Sequence, residues 1–194
     1  ALEAARAAQS HIGLARALAR DPQMRERRRS IITAPASVRS VGEAVMAADR
    51  LLETAKAQAD AQVSERNARE KAELMRQLGM EEGESATKAS RTMIRQLEED
   101  QKRRSKRALT DAIDRALIDL LAIYRDVLMV QVGGDGELIN TDLSELVHQI
   151  AHDSTPHQTL ARVDHIETAR KRLVANGNPL LVLEDMAISL RPQA

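Results

Sequence analysis

In a chain without cysteine, histidine is the first side chain to weigh, because two histidines four apart on a helix project toward one point where a metal could sit. His148 and His152 have that spacing. A zinc site typically draws three or four protein ligands, and no Cys or Glu cluster stands beside this pair. The pattern reads as two surface histidines on an amphipathic helix, and no metal is expected. His11, His157 and His165 are isolated. Gly133-Gly134-Asp135-Gly136-Glu137 is glycine-rich but lacks the Lys-Ser/Thr of a phosphate loop, and no strand precedes it. It reads as a helix stop followed by a loop. The densest charge run is Lys102-Arg103-Arg104-Ser105-Lys106-Arg107, with a smaller one at Arg25-Glu26-Arg27-Arg28-Arg29. Clustered Lys and Arg can neutralise phosphates, which makes Lys102, Arg103, Arg104, Lys106 and Arg107 the candidate DNA contacts. Glu98, Glu99 and Asp100 stand four residues ahead of Lys102, Arg103 and Arg104. That is the spacing of intrahelical ion pairs, so a solvated helix face is the leading reading. No catalytic residue, nucleotide-binding motif or cofactor is indicated anywhere in the chain.

Composition narrows the frame that could hold such residues. Of 194 residues, 29 are basic and 29 acidic, so the formal charge is zero. A domain that holds nucleic acid on its own carries a basic excess. Phe and Trp are absent and Tyr124 is the one aromatic residue besides histidine, which nearly excludes base stacking. A core of Ala, Leu, Ile, Val and Met favours close-packed helices over a sheet. The lack of cysteine fits a reducing cytoplasm. No apolar run approaches the roughly 20 residues of a membrane span. Ala1 opens directly on helical sequence without an initiator Met, which suggests a fragment of a longer protein.

Residues 1–33 read as two short helices, with Gly13 near their junction, Leu14, Leu18 and Met24 inward, and a break at Asp21-Pro22. Ala34-Pro35-Ala36-Ser37 reads as a linker and the first domain boundary. A helix is predicted from Val38 to Leu78, with Ser40 and Glu43 at capping-box spacing. Its inner face is Val41, Val45, Ala48, Leu52, Ala55, Ala59 and Val63. Gly79 is a C-cap and residues 80–85 form a turn. A second long helix is predicted from about Ala86 to Val132. Its first half is polar; its second half carries Leu109, Ala112, Ile113, Ala116, Leu117, Leu120, Leu121, Tyr124, Val127 and Leu128, the wide apolar face of a central helix. The two long helices form an antiparallel hairpin, packed at the base and exposed beyond it. Leu74, Leu78, Met93 and Leu97 either zip its arms or form an exposed patch for a partner.

Three helices follow. Residues 142–152 bury Leu143, Leu146, Val147 and Ile150. Residues 156–175 start on Thr155-Pro156 with Gln158 in a capping box and turn Leu160, Val163, Ile166, Ala169 and Leu173 inward. The last helix, from Pro179 after the turn Asn176-Gly177-Asn178, carries Leu180, Leu183, Ala187 and Leu190. No strand pattern or internal repeat occurs, so the chain is all-α.

The order of these last elements carries a family resemblance. Residues 108–190 resemble the C-terminal collar domain of bacterial clamp-loader subunits, most closely those of the delta prime type in DNA polymerase III. The matching stretches are Asp119-Leu120-Leu121-Ala122-Ile123-Tyr124-Arg125-Asp126-Val127-Leu128, then Leu138-Ile139-Asn140 entering the next helix. Ile166-Glu167-Thr168-Ala169-Arg170-Lys171-Arg172-Leu173 follows, leading into Asn178-Pro179-Leu180 and Leu183-Glu184. Ser10-His11-Ile12-Gly13-Leu14-Ala15-Arg16-Ala17-Leu18 looks like the end of an AAA+ lid domain, with Gly13 where the ATPase members carry a sensor arginine; Arg16 is the alternative sensor position.

The resemblance implies an end of the AAA+ lid domain at residues 1–33 and a collar domain at 38–194, interrupted by an extended helical hairpin at about 56–107. It implies a bundle of the clamp-loader collar type that hydrolyses no ATP and holds a loader pentamer together while the ATPase members load a sliding clamp. The implied partners are other loader subunits of the delta and gamma/tau types, with the sliding clamp and primed DNA reached through the whole complex and no membrane. Ile166, Leu173, Asn178, Pro179, Leu180, Leu183 and Glu184 are the positions it places at the collar or its core. The alternative is a helical nucleic-acid-binding module using residues 102–107. The resemblance is silent on the hairpin.

Overall fold

The computed structural model describes residues 2–8, 12–79 and 87–191. Among them are eight α-helices and one short 3-10 turn, in an all-α arrangement without strands. The helices are α1 (Leu2–Ala7), α2 (Ile12–Arg20), α3 (Pro22–Ser37), α4 (Val41–Gln77), α5 (Lys88–Gln131), α6 (Ser144–His152), α7 (Pro156–Val174) and α8 (Pro179–Ser189), with the 3-10 turn at Thr141–Leu143. Two compact units result: residues 1–54 with 114–194, and residues 55–113.

Local chemistry sets most boundaries. Asp21 caps α3 by accepting from the amides of Gln23 and Met24, with Pro22 at the first position. Ser40 and Glu43 close a reciprocal capping box on α4, each amide donating to the other's side chain at 3.2 Å. Thr155 and Gln158 do the same on α7. Asn178 caps α8 by accepting from Leu180 and Leu181. At the other ends, Gly79, Gly133 and Asn176 take left-handed backbone. Gly133 ends α5 in a Schellman motif: its amide donates to Val130 and that of Gly134 to Met129. Asn176 and Gly177 repeat the motif on Leu173 and Arg172. The turn expected at residues 80–85 lies outside the described residues.

Three expectations change. Residues 34–37 are not a linker but the last turn of α3, with Pro35 inside the helix. Proline in a helix forfeits one backbone bond, yet α3 buries Arg28 and Ile32 and half-buries residues 33–36, so tertiary packing carries the helix through it. The segment before residue 34 holds three helices rather than two. And the inner face of α4 begins at Ala44, not Val41 and Val45, which are exposed. The buried row steps by four through Ala44, Ala48 and Leu52 before continuing to Ala55, Ala59 and Val63, and Val41 and Val45 lie off that row.

In the first unit, the second half of α5 is the axis. From Ala116 to Val127 Arg125 alone is exposed, the signature of a helix covered on several sides. A small cavity of about 80 Å³ bounded by Ala34, Val38, Leu51, Leu120, Met186 and Leu190 marks where α3, α4, α5 and α8 meet. α1 and α2 pack through Ala4, Ala7, Ala8 and Leu18, with Leu14 and Met24 against them. On α7 the buried row is Thr159, Arg162, Ile166, Ala169 and Leu173. Leu160, expected inward, is 52% exposed, since it falls one residue, or about 100°, off that row.

Alongside the apolar core runs a buried polar chain. Arg28 donates from Nε to Asp119 Oδ1 at 3.0 Å and from Nη2 to Asn140 Oδ1 at 2.6 Å. Asn140 donates from its amide (2.8 Å) and its Nδ2 (2.9 Å) to Asp126 Oδ2. Asp126 Oδ1 receives the Ile139 amide and Arg125 Nη1. Burial pushes the Asp119 carboxyl above its ordinary value, against the opposing pull of Arg28 and Arg115.

The second unit is an antiparallel helix pair. Ala59 and Val63 meet Ala108 and Leu109. Further along, Arg104 forks onto Glu70 at 2.8 and 3.1 Å and onto Asn67 Oδ1 at 2.7 Å, while Gln101 donates to the Asn67 carbonyl. Arg104 first, then Arg66, holds the Glu70 carboxyl below its ordinary value. Leu74, Leu78 and Leu97 are half-buried, whereas Met93 is exposed and Ile94 takes the inward place beside it.

Two stability measurements test this account. Replacing Arg28 by Met leaves Asp119 buried without its cation, which costs about 3–5 kcal/mol. Asp119 titrates above its unfolded value in the fold, so its ionised form opposes folding and losing Arg28 raises its value further. The charge part of the loss is therefore largest at neutral pH and fades as pH falls through the raised folded value toward the ordinary one. Urea melts of both proteins at neutral pH and at about pH 4 read the difference. Second, a Cβ at Gly177 would lie 2.9 Å from the Arg172 carbonyl oxygen and 3.0 Å from Val182 Cγ2, whereas at Gly42 it meets nothing within 4 Å. Gly177→Ala should cost about 1–3 kcal/mol, and Gly42→Ala should stabilise by about 0.5 kcal/mol.

Candidate functional site

The residues expected at the collar divide by where α7 and α8 place them. Ile166, Leu173 and Leu183 are buried, with Ile166 and Leu183 fully enclosed. These three hold the bundle together. Pro179, Leu180 and Glu184 are half-buried, and Asn178 is the exposed cap of α8. The outward apolar groups at this end are others: Val174, the last residue of α7, is 79% exposed, and Leu181, in the first turn of α8, is 62% exposed. Both flank the turn at residues 175–178. Arg172 bridges to Asp185 at 2.5 Å across the same helix pair, and the left-handed Asn176 and the close approach at Gly177 fix the turn between them. Two large apolar side chains thus stand in water on a rigid frame. The inner rows read from the sequence on these two helices leave both residues out, and sequence reading does not single them out as outward apolar groups.

A second concentration of polar groups lies along α7. Arg170 forks onto Asp114 of α5 at 2.7 and 3.3 Å and reaches Glu167 at 3.0 Å. About two helical turns earlier, Arg162 is buried with its guanidinium carbon 5.9 Å from the Tyr124 ring centroid. Burial pushes the Tyr124 hydroxyl up to about 12, with Arg162 pulling against it. Both line a cleft of about 550 Å³ between the end of α3, α5, α6 and α7. Sequence reading places Tyr124 inward but passes over Arg162, which by charge alone belongs outside.

The basic run lies wholly in the second unit. Lys102, Arg103, Lys106 and Arg107 are exposed and Arg104 is half-buried. None of the expected i,i+4 pairs forms. Arg103 pairs instead with Asp100 one turn back, Arg104 crosses to Glu70, Glu98 faces Lys71 at 3.9 Å and Glu99 takes Arg95. Arg104 leaves Asp100 because the antiparallel arm brings Glu70 and Asn67 within reach of its fork, while Glu99 is taken by an i,i+4 pair in the other direction, with Arg95. Arg104 is thereby committed to holding the hairpin.

His148 and His152 are both exposed, and their Nδ1 atoms lie 2.7 Å from the Ser144 carbonyl and 3.0 Å from Asp153 Oδ1. No group of three or more His, Cys, Asp or Glu side chains converges among the described residues. Gly13 sits exposed in the first turn of α2 and Arg16 is exposed on the same helix; Ser10 and His11 lie outside the described residues. Among the described residues no helix is long and apolar enough to cross a membrane.

No protein-family profile matches the chain, and no solved structure does. A stretch of 72 residues, 37% of this chain, is 36% identical to the DNA polymerase III subunit delta' of Bacillus subtilis (strain 168), of which it covers 22%. The likeness is thus partial, and it spans under a quarter of that relative.

Proposed function

We propose that the chain is the C-terminal, association part of a clamp-loader subunit of the delta prime type, and that its helical bundle joins other loader subunits of the delta and gamma/tau types into one ring. The 36% identity to the Bacillus subtilis subunit carries this reading. The physical support is the kind of surface the bundle presents. An association domain needs rigid apolar side chains in water before its partner arrives, and Val174 and Leu181 meet that need on either side of a turn locked by two caps. The bundle contributes buried apolar area and no bond chemistry, so it acts without catalysis and without a cofactor. In the assembled loader, in the cytoplasm, it would hold the ATPase members in register while they open the sliding clamp at primed DNA. Gly13 in place of a sensor arginine is consistent with a member that leaves hydrolysis to its neighbours.

The test separates folding from association. Changing Val174 and Leu181 together to Asp alters two side chains that touch little in the isolated chain, so the urea midpoint should hold. Full burial of an apolar side chain contributes about 1.5–3 kcal/mol, so co-purification with the other loader subunits should weaken by roughly tenfold or more for each site. Undiminished assembly by the double variant places the interface elsewhere on the bundle, and failure of the unaltered protein to join any loader subunit defeats the reading altogether.

A further inference from the structure

Among the described residues, the buried charges of this bundle are paired, with one exception. Arg28 has Asp119 and Asn140. Asp126 receives the amides of Ile139 and Asn140 together with the Asn140 and Arg125 side chains. Arg162 is 6% exposed, and its contact is the face of Tyr124 at 5.9 Å; no carboxylate or hydrogen-bond acceptor among the described residues meets its fork. A guanidinium is always charged and carries five donors. Its nitrogens open onto the cleft rather than being sealed in the bundle, since the buried side-chain polar atom left without a partner among the described residues is Gln131 Oε1, so the fork is free to take oxygens from a ligand there.

The space for such a ligand is present. Arg162 and Tyr124 both line the cleft of about 550 Å³, within the size range of small-ligand sites. Apolar walls come from Pro35, Leu146, Ile150 and Leu190, and hydroxyls from Thr33 and Ser37 of α3. The charged groups on the cleft besides Arg162 are Arg39 and Asp153. Arg39 is exposed and already donates to the Ala36 carbonyl at 2.6 Å. Asp153 is exposed and bonded to His152, so it does not serve Arg162.

We propose that this cleft is a binding site for a carboxylate carried beside an apolar group, with the Arg162 fork taking the two carboxylate oxygens and the α3–α6 wall taking the apolar part. The planar fork matches a planar anion bidentately. A phosphate dianion fits less well, because Asp153, also on the cleft, repels its second charge. The carboxylate has two sources, a small aliphatic acid or an acidic side chain flanked by apolar residues on a polypeptide. The proposal is independent of the clamp-loader reading, since it concerns the isolated chain and a different part of the bundle from Val174 and Leu181.

The experiment is a side-chain NMR titration of the 194-residue chain, reading the Arg162 Nε–Hε resonance. The probes are propionate, the blocked tripeptide acetyl-Leu-Asp-Leu-amide, its Asn counterpart, and inorganic phosphate. Expected is a saturable shift with propionate or the Asp peptide, weaker by about tenfold or more for the Asn peptide, as loss of a charge-assisted hydrogen-bond pair requires. Tighter binding of the Asp peptide than of propionate assigns the site to a polypeptide; equal or weaker binding assigns it to a small acid. Arg162→Lys, which keeps the charge and loses the fork, should abolish saturation, read on the neighbouring backbone amides, while leaving the Arg28 resonance in place. No saturable shift with either carboxylate, an Asn peptide that binds as well as the Asp peptide, or phosphate binding tighter than both carboxylates overturns the proposal. The peptide comparison uses the unaltered protein, so it decides the matter even where Arg162→Lys prevents folding.

Discussion

The bundle depends on a buried carboxylate, Asp126, that sits without solvent exposure in the second half of α5. Its two oxygens collect the amides of Ile139 and Asn140 and the side chains of Asn140 and Arg125. A carboxylate so placed is tolerable because its acceptor sites are filled. The consequence is directional. The chain leaving α5 at Gly133 must come back to Asp126 within a few residues, and it enters the 3-10 turn and α6 from that fixed point. Asn140 then turns its side-chain oxygen to Arg28, and Arg28 closes on Asp119, seven residues before Asp126 and so on the same side of α5. One polar chain therefore ties α3, α5 and the start of α6 before any apolar contact is counted.

That tie matters more here than in most cores because the apolar side is short of large groups. With no Phe or Trp and one Tyr, the packing rests on Leu, Ile, Val and Ala, which specify position less sharply than a ring. Alanines at 44, 48, 116, 122 and 169 are buried in this unit, and small side chains let helices approach closely while leaving their rotation about the axis weakly defined. Polar pairs of fixed geometry supply the missing definition: Arg170 on Asp114, Gln131 on the Ser154 carbonyl at 2.7 Å, Arg28 on Asp119. A buried ion pair such as Arg28 on Asp119 is a weak source of stability; what it adds here is a fixed direction between α3 and α5.

The same division explains what could be read from the sequence. Helix ends were legible because their signals are local: Ser40 with Glu43, Thr155 with Gln158, Asn178 with Pro179, and glycine at 79 and 133. The central role of α5 was legible from its wide stripe. Helix rotation was not. The stripe on α4 admits Val41 and Val45 or Ala44 as its start, and that on α7 admits Leu160 or Thr159; partners far along the chain choose between them. The polar chain was illegible for a stronger reason, since Arg28 meets Asp119 and Asn140 at separations of 91 and 112 residues, and hydropathy assigns all three to the surface. Pro35 failed as a boundary signal because its penalty is fixed while the burial of Arg28 and Ile32 is a property of the whole unit.

The candidate sites follow the same rule. Ile166, Leu173 and Leu183 come from the family resemblance and also lie on the periodic apolar rows, and such rows select for burial, so they trace the frame and not the surface. Type and position disagree at Leu181, an apolar side chain in water, and at Arg162, a charge in the interior without a counter-charge. The first kind leaves hydrophobic surface for another chain to cover; the second leaves donors for a ligand to fill. Both lie on helices whose N-termini are capped and whose inner faces are buried in the bundle. Their mismatch is the physical ground for looking to partners and ligands at these two places before the exposed basic run, whose Arg103 and Arg104 already have partners within the hairpin.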